Sequence, residues 1–388
     1  MTNSWQSSAL KAVGAAALAA LAGCGGSDDG SAEYAAGNTA YAARDLVKAE
    51  RQFTASLAEA PGNVNALIML ARTELDLGKI DEAGAAIAQA ESLAGGDTDV
   101  MLLAAQIAFH ARDFGKAKTL YAMIAEDARL TPADRAAGWA GLGVVEMSGI
   151  NSGAATEGRD IARTCFLRAV RLDGRNAAAR YHLGVLYMNA FAYRESALDQ
   201  FGIFVRLDTE ADKRVQDVQQ KTIPALRNEI AAAASRRDGV SRRDSAASAS
   251  ALRKAEEAWN KGTYKTARLR YAEAYQADVL SYPAALGLAK SWEKSDLSKS
   301  GQLEASKYYC IASSLRPSAK DTALAAGGFA FKLGNFASAV EAYSRALAAA
   351  PTDVTAIDGL ILALQKSGNR SSAVVYQRYR DWLATAKR

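Results

Sequence analysis

Residues 334–373 read GNFASAVEAYSRALAAAPTDVTAIDGLILALQKSGNRSSA. Ala339 is followed by Tyr343 four residues on and by Ala346 three after that, spacings that put all three on one face of a helix. Pro351, twelve residues after the alanine, has no N–H to donate and must lie beyond the end of that helix. Ala373 then takes up the same place 34 residues after Ala339. The stretch is thus predicted to hold a helix, a stop, a second helix and a fresh start.

The same beat runs outward through the chain. A small residue recurs as Ala49, Ala83, Ala117, Ala162, Ala197, Ala267, Ala305, Ala339 and Ala373, with spacings of 34, 34, 45, 35, 70, 38, 34 and 34. We read it as the point where the two helices of one repeat touch. Four residues later stand Phe53, Ile87, Tyr121, Phe166, Phe201, Tyr271, Tyr309 and Tyr343. Pro61 and Pro317 close two further repeats as Pro351 does. The first helices carry the matching half: Trp139-x-x-Leu142-Gly143, Leu183-Gly184-x-x-Tyr187, Gly37 and Gly327, where a small residue permits close approach. The turns between paired helices read GK (78–79), RDF (112–114), GTY (262–264) and GNF (334–336), each a helix stop followed by a start.

This pattern resembles the tetratricopeptide repeat, a helix-turn-helix unit of about 34 residues. Nine repeats are recognisable, at 30–63, 64–97, 98–131, 136–176, 177–210, 248–281, 282–319, 320–353 and 354–388. The resemblance implies an all-α, right-handed superhelical solenoid of helix-turn-helix repeats, in which neighbours stack because one repeat cannot bury its own apolar face. We divide the chain into a leader (1–23), a tether (24–31), an N-terminal array of about five repeats (32–210), a degenerate helical unit with a linker (211–247) and a C-terminal array of about four repeats (248–388). Within 211–247, one helix is expected to end near Lys221 and another to begin at Thr222 and Pro224. The polar run SRRDGVSRRDSAAS (235–248) follows; its arginine pairs suit either a solvated linker or an acidic surface. Two insertions, GINSGAATE (149–157) and KSDLSKSG (294–301), read as loops on one edge of the stack. They are either functional decorations or tolerated surface drift.

The resemblance also implies a concave groove lined by first helices. Its candidate residues are Tyr34, Asn38 and Tyr41; Asn65, Arg72 and Asp76; Gln106, Phe109 and His110; Tyr181 and Asn189; and Trp259 and Asn260. Glu256, Lys290, Glu293, Phe331 and Lys332 fall at equivalent places. Rings among amides suit an extended peptide or a partner helix, since rings give area at low entropy cost and amides satisfy a backbone. The other reading is that the rings pack repeat against repeat, with polar tips outward. Relatives that grip a C-terminal carboxylate use a Lys and an Asn where this chain has Tyr34 and Met69; only Asn38 fits, so that activity is not carried over.

The leader has its own signature. Lys11 precedes the apolar run AVGAAALAALAG (12–23), the length of a secretory core and too short to span a bilayer. It ends in Leu21-Ala22-Gly23-Cys24, which resembles the lipobox of bacterial lipoproteins. That resemblance implies acylation of Cys24 and a membrane anchor of two or more chains. Gly25, where enterobacterial sorting uses Asp for inner-membrane retention, favours the outer membrane, with the protein on its periplasmic face or at the cell surface. GGSDDGS (25–31) suits a flexible tether.

Composition excludes other classes. Hydrophobic residues make up 49% and charged residues 23% of 388, a globular balance, and six prolines beside abundant alanine favour helix. A net charge of +5 is small for this length and does not mark a nucleic-acid binder. Cys165 and Cys310 stand in distant repeats inside helical patterns and read as free thiols; with no CxxC pair, no metal, redox or haem site is expected. Two histidines, His110 and His182, sit in different repeats, and no HExxH, GxSxG, GxxxxGK[ST] or GxGxxG occurs in the right context. No cofactor and no enzymatic activity are expected. The functional expectation is a lipid-anchored scaffold for proteins of an envelope assembly, such as outer-membrane protein insertion, pilus or secretin assembly, or polysaccharide export. The alternative is a lipoprotein that binds glycan or cell wall through groove aromatics.

Overall fold

The structure is a computed structural model that describes residues 30–150, 156–207, 213–238 and 244–386. The leader, Cys24, most of the tether, the middle of the 149–157 insertion and the middle of the 235–248 linker lie outside the described residues.

Among the described residues every regular element is a helix, and the helices follow one another as hairpins. The first five repeats are α1 (Ser31–Ala42) with α2 (Leu46–Glu59), α3 (Val64–Leu77) with α4 (Ile80–Ala94), α5 (Thr98–His110) with α6 (Phe114–Glu126), α7 (Pro132–Ile150) with α8 (Thr156–Leu172), and α9 (Ala177–Asn189) with α10 (Arg194–Leu207). After α11 (Lys213–Asp217), a π turn at Val218–Thr222 and α12 (Ile223–Asp238), the pattern resumes. It continues as α13 (Ser245–Asn260) with α14 (Tyr264–Ala277), α15 (Tyr282–Ser295) with α16 (Lys299–Leu315), α17 (Lys320–Lys332) with α18 (Phe336–Ala349), and α19 (Val354–Lys366) with α20 (Arg370–Thr385). Many of the helices start where a short polar side chain takes up an orphan N–H three residues on. Asp45, Asn63, Asp113, Asp244, Asn335, Asp353 and Asn369 each do so. The hairpin turns pass through the left-handed region, at φ 81° for Gly78 and 78° for Gly334, with Arg112 at 63°.

Within α1–α7 and within α13–α20 each helix packs on the next, and several first helices touch the first helix of the following repeat, as in α1 on α3 and α17 on α19. This is the all-α solenoid class that the 34-residue beat implied. All nine recurring alanines are buried. The residue four later is buried in seven of the eight repeats that carry it, and Tyr343 is half-buried. The glycines explain the fit. A Cβ on Gly37 would stand 2.5 Å from the ring of Phe53, and one on Gly143 2.5 Å from that of Phe166. Gly141 and Gly287 give the same kind of seat to Tyr121 and Tyr271, rings of the preceding repeat. Tyr343 is held from both sides, by Gly327 of its own repeat and Gly359 of the next. Each such ring removes ~1.5–3 kcal/mol worth of apolar surface from water.

The chain divides into two compact units. One holds the described residues before 155 together with Ile161–His182; the other joins residues 155–160 to 183–388. The described residues 213–238 and 244–247 therefore fall inside the second unit.

Three details differ from the sequence-based expectations. The 294–301 insertion is not all loop. α15 runs to Ser295, and Lys299 to Gly301 already belong to α16, because Ser298 caps that helix by accepting from the Gly301 N–H. The expected break at Thr222 is bridged: one helical run continues through the π turn, whose wider hydrogen bonding, Ile223 N–H to Val218 O, accommodates Pro224 without ending the helix. Residues 149–150 close α7 as helix, so that insertion leaves the hairpin later than expected.

Candidate functional site

The first helices of the first unit bring one set of expected residues together. Tyr41, in the last turn of α1, donates its hydroxyl proton to Asp76 Oδ2 of α3 at 2.8 Å. The Arg44 guanidinium lies 3.6 Å from the same oxygen. Burial, then the Asp76 charge, then the hydrogen bond to it push the Tyr41 hydroxyl well above the ordinary phenol range, so Tyr41 remains a donor at any physiological pH. Arg72, one turn before Asp76, acts electrostatically on both Tyr41 and Asp99 of α5. Asn38, one turn before Tyr41, keeps its Oδ1 buried with no hydrogen-bond donor. Such an oxygen costs ~1–3 kcal/mol when it stays unmatched. Asn65 is exposed at the start of α3.

The other expected residues are placed differently. Tyr34 packs its ring 5.9 Å from that of Phe53, inside its own hairpin. Gln106 and Phe109 are buried, and Phe109 stands edge-on to Phe114 at 5.5 Å and to His110 at 5.9 Å. Trp259 meets Tyr264 the same way at 5.0 Å, and Phe331 meets Phe336 at 5.4 Å. In each of these three repeats the ring eight residues before the recurring alanine folds onto the first residue of the second helix, a corner post for the hairpin turn. Tyr41 holds that position in the first repeat, but its neighbour there is Leu46 and its hydroxyl reaches across to α3. Tyr181 is edge-on to His182 at 5.2 Å, and His182 stacks on Phe166 at 5.7 Å. Asn189 and Asn260 are exposed at the ends of their helices.

Beside this face lies a group that sequence reasoning passed over. Glu74, also on α3, is buried, with one carboxylate oxygen lacking a partner. Burial first, then the charges of Glu50 and Glu82, push its carboxyl up to about 7, against the opposing pull of Lys79. Lys79 itself is bound to Glu50 at 2.7 Å. The signal available in the sequence was a lone acid at an inward-facing position of an apolar helix. Cys165 and Cys310 are free thiols, and burial raises them to about 12 and about 11, which leaves both unreactive. Among the described residues no cluster of three potential metal ligands occurs, and no helix is long and apolar enough to cross a membrane.

The Tyr41–Asp76 pair lies within the part of the chain that aligns with a known family. Residues 40–94 match the tetratricopeptide repeat. The matched stretch runs from the end of α1 through α4, so it contains Tyr41, Arg72, Glu74 and Asp76. No curated protein matches the chain in sequence. Among solved structures, that of the MamA protein is similar at a TM-score of 0.35 and 16% identity, over 50% of this chain and 96% of that one. The Pseudomonas aeruginosa pilF structure is similar at 0.39 and 12%, over 66% and 95%. The Cut9–Hcn1 hetero-tetramer of the APC/C is similar at 0.34 and 14%, over 92% and 79%. Likeness at this level carries nothing about partners.

Proposed function

We propose that this protein is a non-enzymatic protein-binding scaffold, held in the bacterial cell envelope by a lipid on Cys24, that supports assembly of an envelope machine. The observation behind the binding role is the α1–α3 face. A fixed donor–acceptor pair, Tyr41 and Asp76, stands within the field of Arg72. The Asp76 carboxylate offers an acceptor to a backbone N–H and Arg72 a cation to a carbonyl or carboxylate, which is what an extended peptide or the end of a partner helix presents. The repeat architecture supports the same reading, since stacked helical hairpins provide long surfaces and no preorganised reaction centre. The anchor rests on the lipobox-like Leu21-Ala22-Gly23-Cys24 and the secretory run before it.

Crosslinking and affinity capture of the lipidated protein from its native envelope tests the scaffold role. The expected result is one stoichiometric protein assembly, lost on Asp76→Ala. Retention of polysaccharide with no protein would replace the scaffold by the glycan-binding reading, to be tested at Trp259 and at Tyr41 separately. For the anchor, Cys24→Ser is expected to leave an unlipidated precursor; a normally processed variant still in the membrane fraction would refute the lipid site.

A further inference from the structure

Asp160 stands two residues before Ala162, the recurring alanine of the fourth repeat. At that register other repeats carry solvent-facing residues, among them Val47, Asp81, Lys265 and Leu303, and Glu195 is half-buried. Asp160 alone is buried there, at 3% exposure. What covers it is the last helix of the chain. Ser372 Oγ and Tyr376 Oη of α20 both donate to its carboxylate, the phenol at 2.7 Å and across 216 residues of sequence. Next to it Arg159 donates to the Ala190 carbonyl at 3.4 Å and lies 4.8 Å from the ring centre of Phe191. Nearby, Arg345 of α18 lies 5.2 Å from the ring centre of Tyr193, and α10 touches α18. The start of α8 and the α9–α10 turn therefore meet α18 and α20 inside one compact unit. At the seam is a cavity of about 340 Å³, walled in part by Tyr193, Ser344, Leu360, Leu364 and Tyr376.

The chemistry of this seam differs from that of the stack. Neighbouring repeats are joined mainly by alanines, glycine seats and rings, contacts that are numerous and non-directional, with polar ties such as Tyr41 to Asp76 added beside them. At the seam a buried carboxylate meets two hydroxyl donors. Such a network specifies one geometry and is costly once either side is removed, yet it adds little over an apolar contact of equal size. The charges on the cavity wall already face protein partners: Asp160 with its two donors, Glu341 with Arg345 at 2.8 Å, and Arg159 with Phe191. The cavity is thus the space behind a polar latch.

We propose that Asp160 is the keeper of a clasp by which the second compact unit closes on its own last helix. In the closed form seen here α20 is covered and Ser344 is buried on the cavity wall. In the open form α20 loses its cover and Ser344 becomes reachable, while the hairpin stack stays folded. A seam of few, directional bonds between elements far apart in sequence belongs to the low-stability end of a structure, where local opening precedes global unfolding.

Hydrogen exchange on the full chain tests the clasp. Asp160→Ala, and separately the double variant Ser372→Ala with Tyr376→Phe, are expected to speed exchange across residues 370–385 by about ten-fold or more, with α5 and α6 unchanged. The double variant keeps the ring of Tyr376 and so serves if Asp160→Ala fails to fold. A second readout is thiol labelling of Ser344→Cys in a Cys310→Ser background, expected to accelerate by about the same factor when the clasp is cut. Unchanged exchange at 370–385, or a rise shared evenly by all helices, would overturn the proposal; so would unchanged labelling at position 344.

Discussion

A pair of identical substitutions separates the two roles that glycine plays in these helices. Gly84 lies inside α4 and Gly138 inside α7, both in the first compact unit. A Cβ at Gly84 meets nothing within 4 Å, whereas one at Gly138 would stand 2.7 Å from the Ala125 N and 2.9 Å from the Tyr121 O. Both neighbours are backbone atoms of α6 and cannot rotate away, so α6 and α7 would have to part by roughly half an ångström to restore an ordinary contact. Replacing glycine by alanine in a helix interior gains about 1 kcal/mol. Gly84→Ala should show that gain undiminished. At Gly138 the overpacking cost, about 3 kcal/mol at the upper end for an immovable neighbour, leaves a net loss of about 2 kcal/mol. The two variants then differ by ~3 kcal/mol, or ~6–12 °C in melting temperature at the ~2–4 °C per kcal/mol of a unit this size. Thermal unfolding followed by circular dichroism, with chemical denaturation as a check, measures it. Two melts displaced in the same direction by similar amounts would refute the view that the α6–α7 spacing is set by that missing side chain.

Further predictions concern charge and packing. Because the Glu74 carboxyl is raised to about 7 in the folded protein, above its ordinary 4.5, the folded state holds that proton more tightly than the unfolded one. Its contribution is full below pH 4.5 and is lost as the pH climbs through 7. Glu74→Gln should therefore flatten this decline and stabilise the protein at pH 8 relative to pH 5, as read by urea denaturation at the two values; a parallel offset at both would count against it. Tyr41→Phe removes the donor to Asp76 and should cost ~1.5–3 kcal/mol in the same assay. Phe53→Ala empties the seat against Gly37 and should cost ~3–5 kcal/mol, with no compensation from Gly37→Ala unless the added methyl fills the void.

The fold was open to sequence reading because its contacts are local and periodic. Ala83, Ile87 and the turn at Gly78 all serve the same few neighbours, so a 34-residue beat records them directly. The candidate site was open only in part. The register placed Tyr41, Arg72 and Asp76 on one face, but it could not tell a ring that points along that face from one that folds into a corner. Phe109 and Trp259 do the latter because an aromatic residue, Phe114 or Tyr264, opens the next helix and offers an edge. Asp160 was invisible for another reason: its partners lie 212 and 216 residues away, and no spacing rule links them. The bridged break at Thr222 shows the limit of reading Thr222 and Pro224 as a fresh helix start, since a single wider turn carries one helical run through them.

The way the second helices begin has a practical consequence. In seven repeats the second helix opens three residues before its alanine; α8 and α16, which follow the two insertions, open six before it. The added length is one turn, placed upstream, so the alanine and the ring after it keep their phase. A chain built this way absorbs new sequence at the hairpin corner without retuning its interior. Leu297, 79% exposed and just ahead of the Ser298 cap, is accordingly a ready port for an epitope tag or a small fluorescent domain.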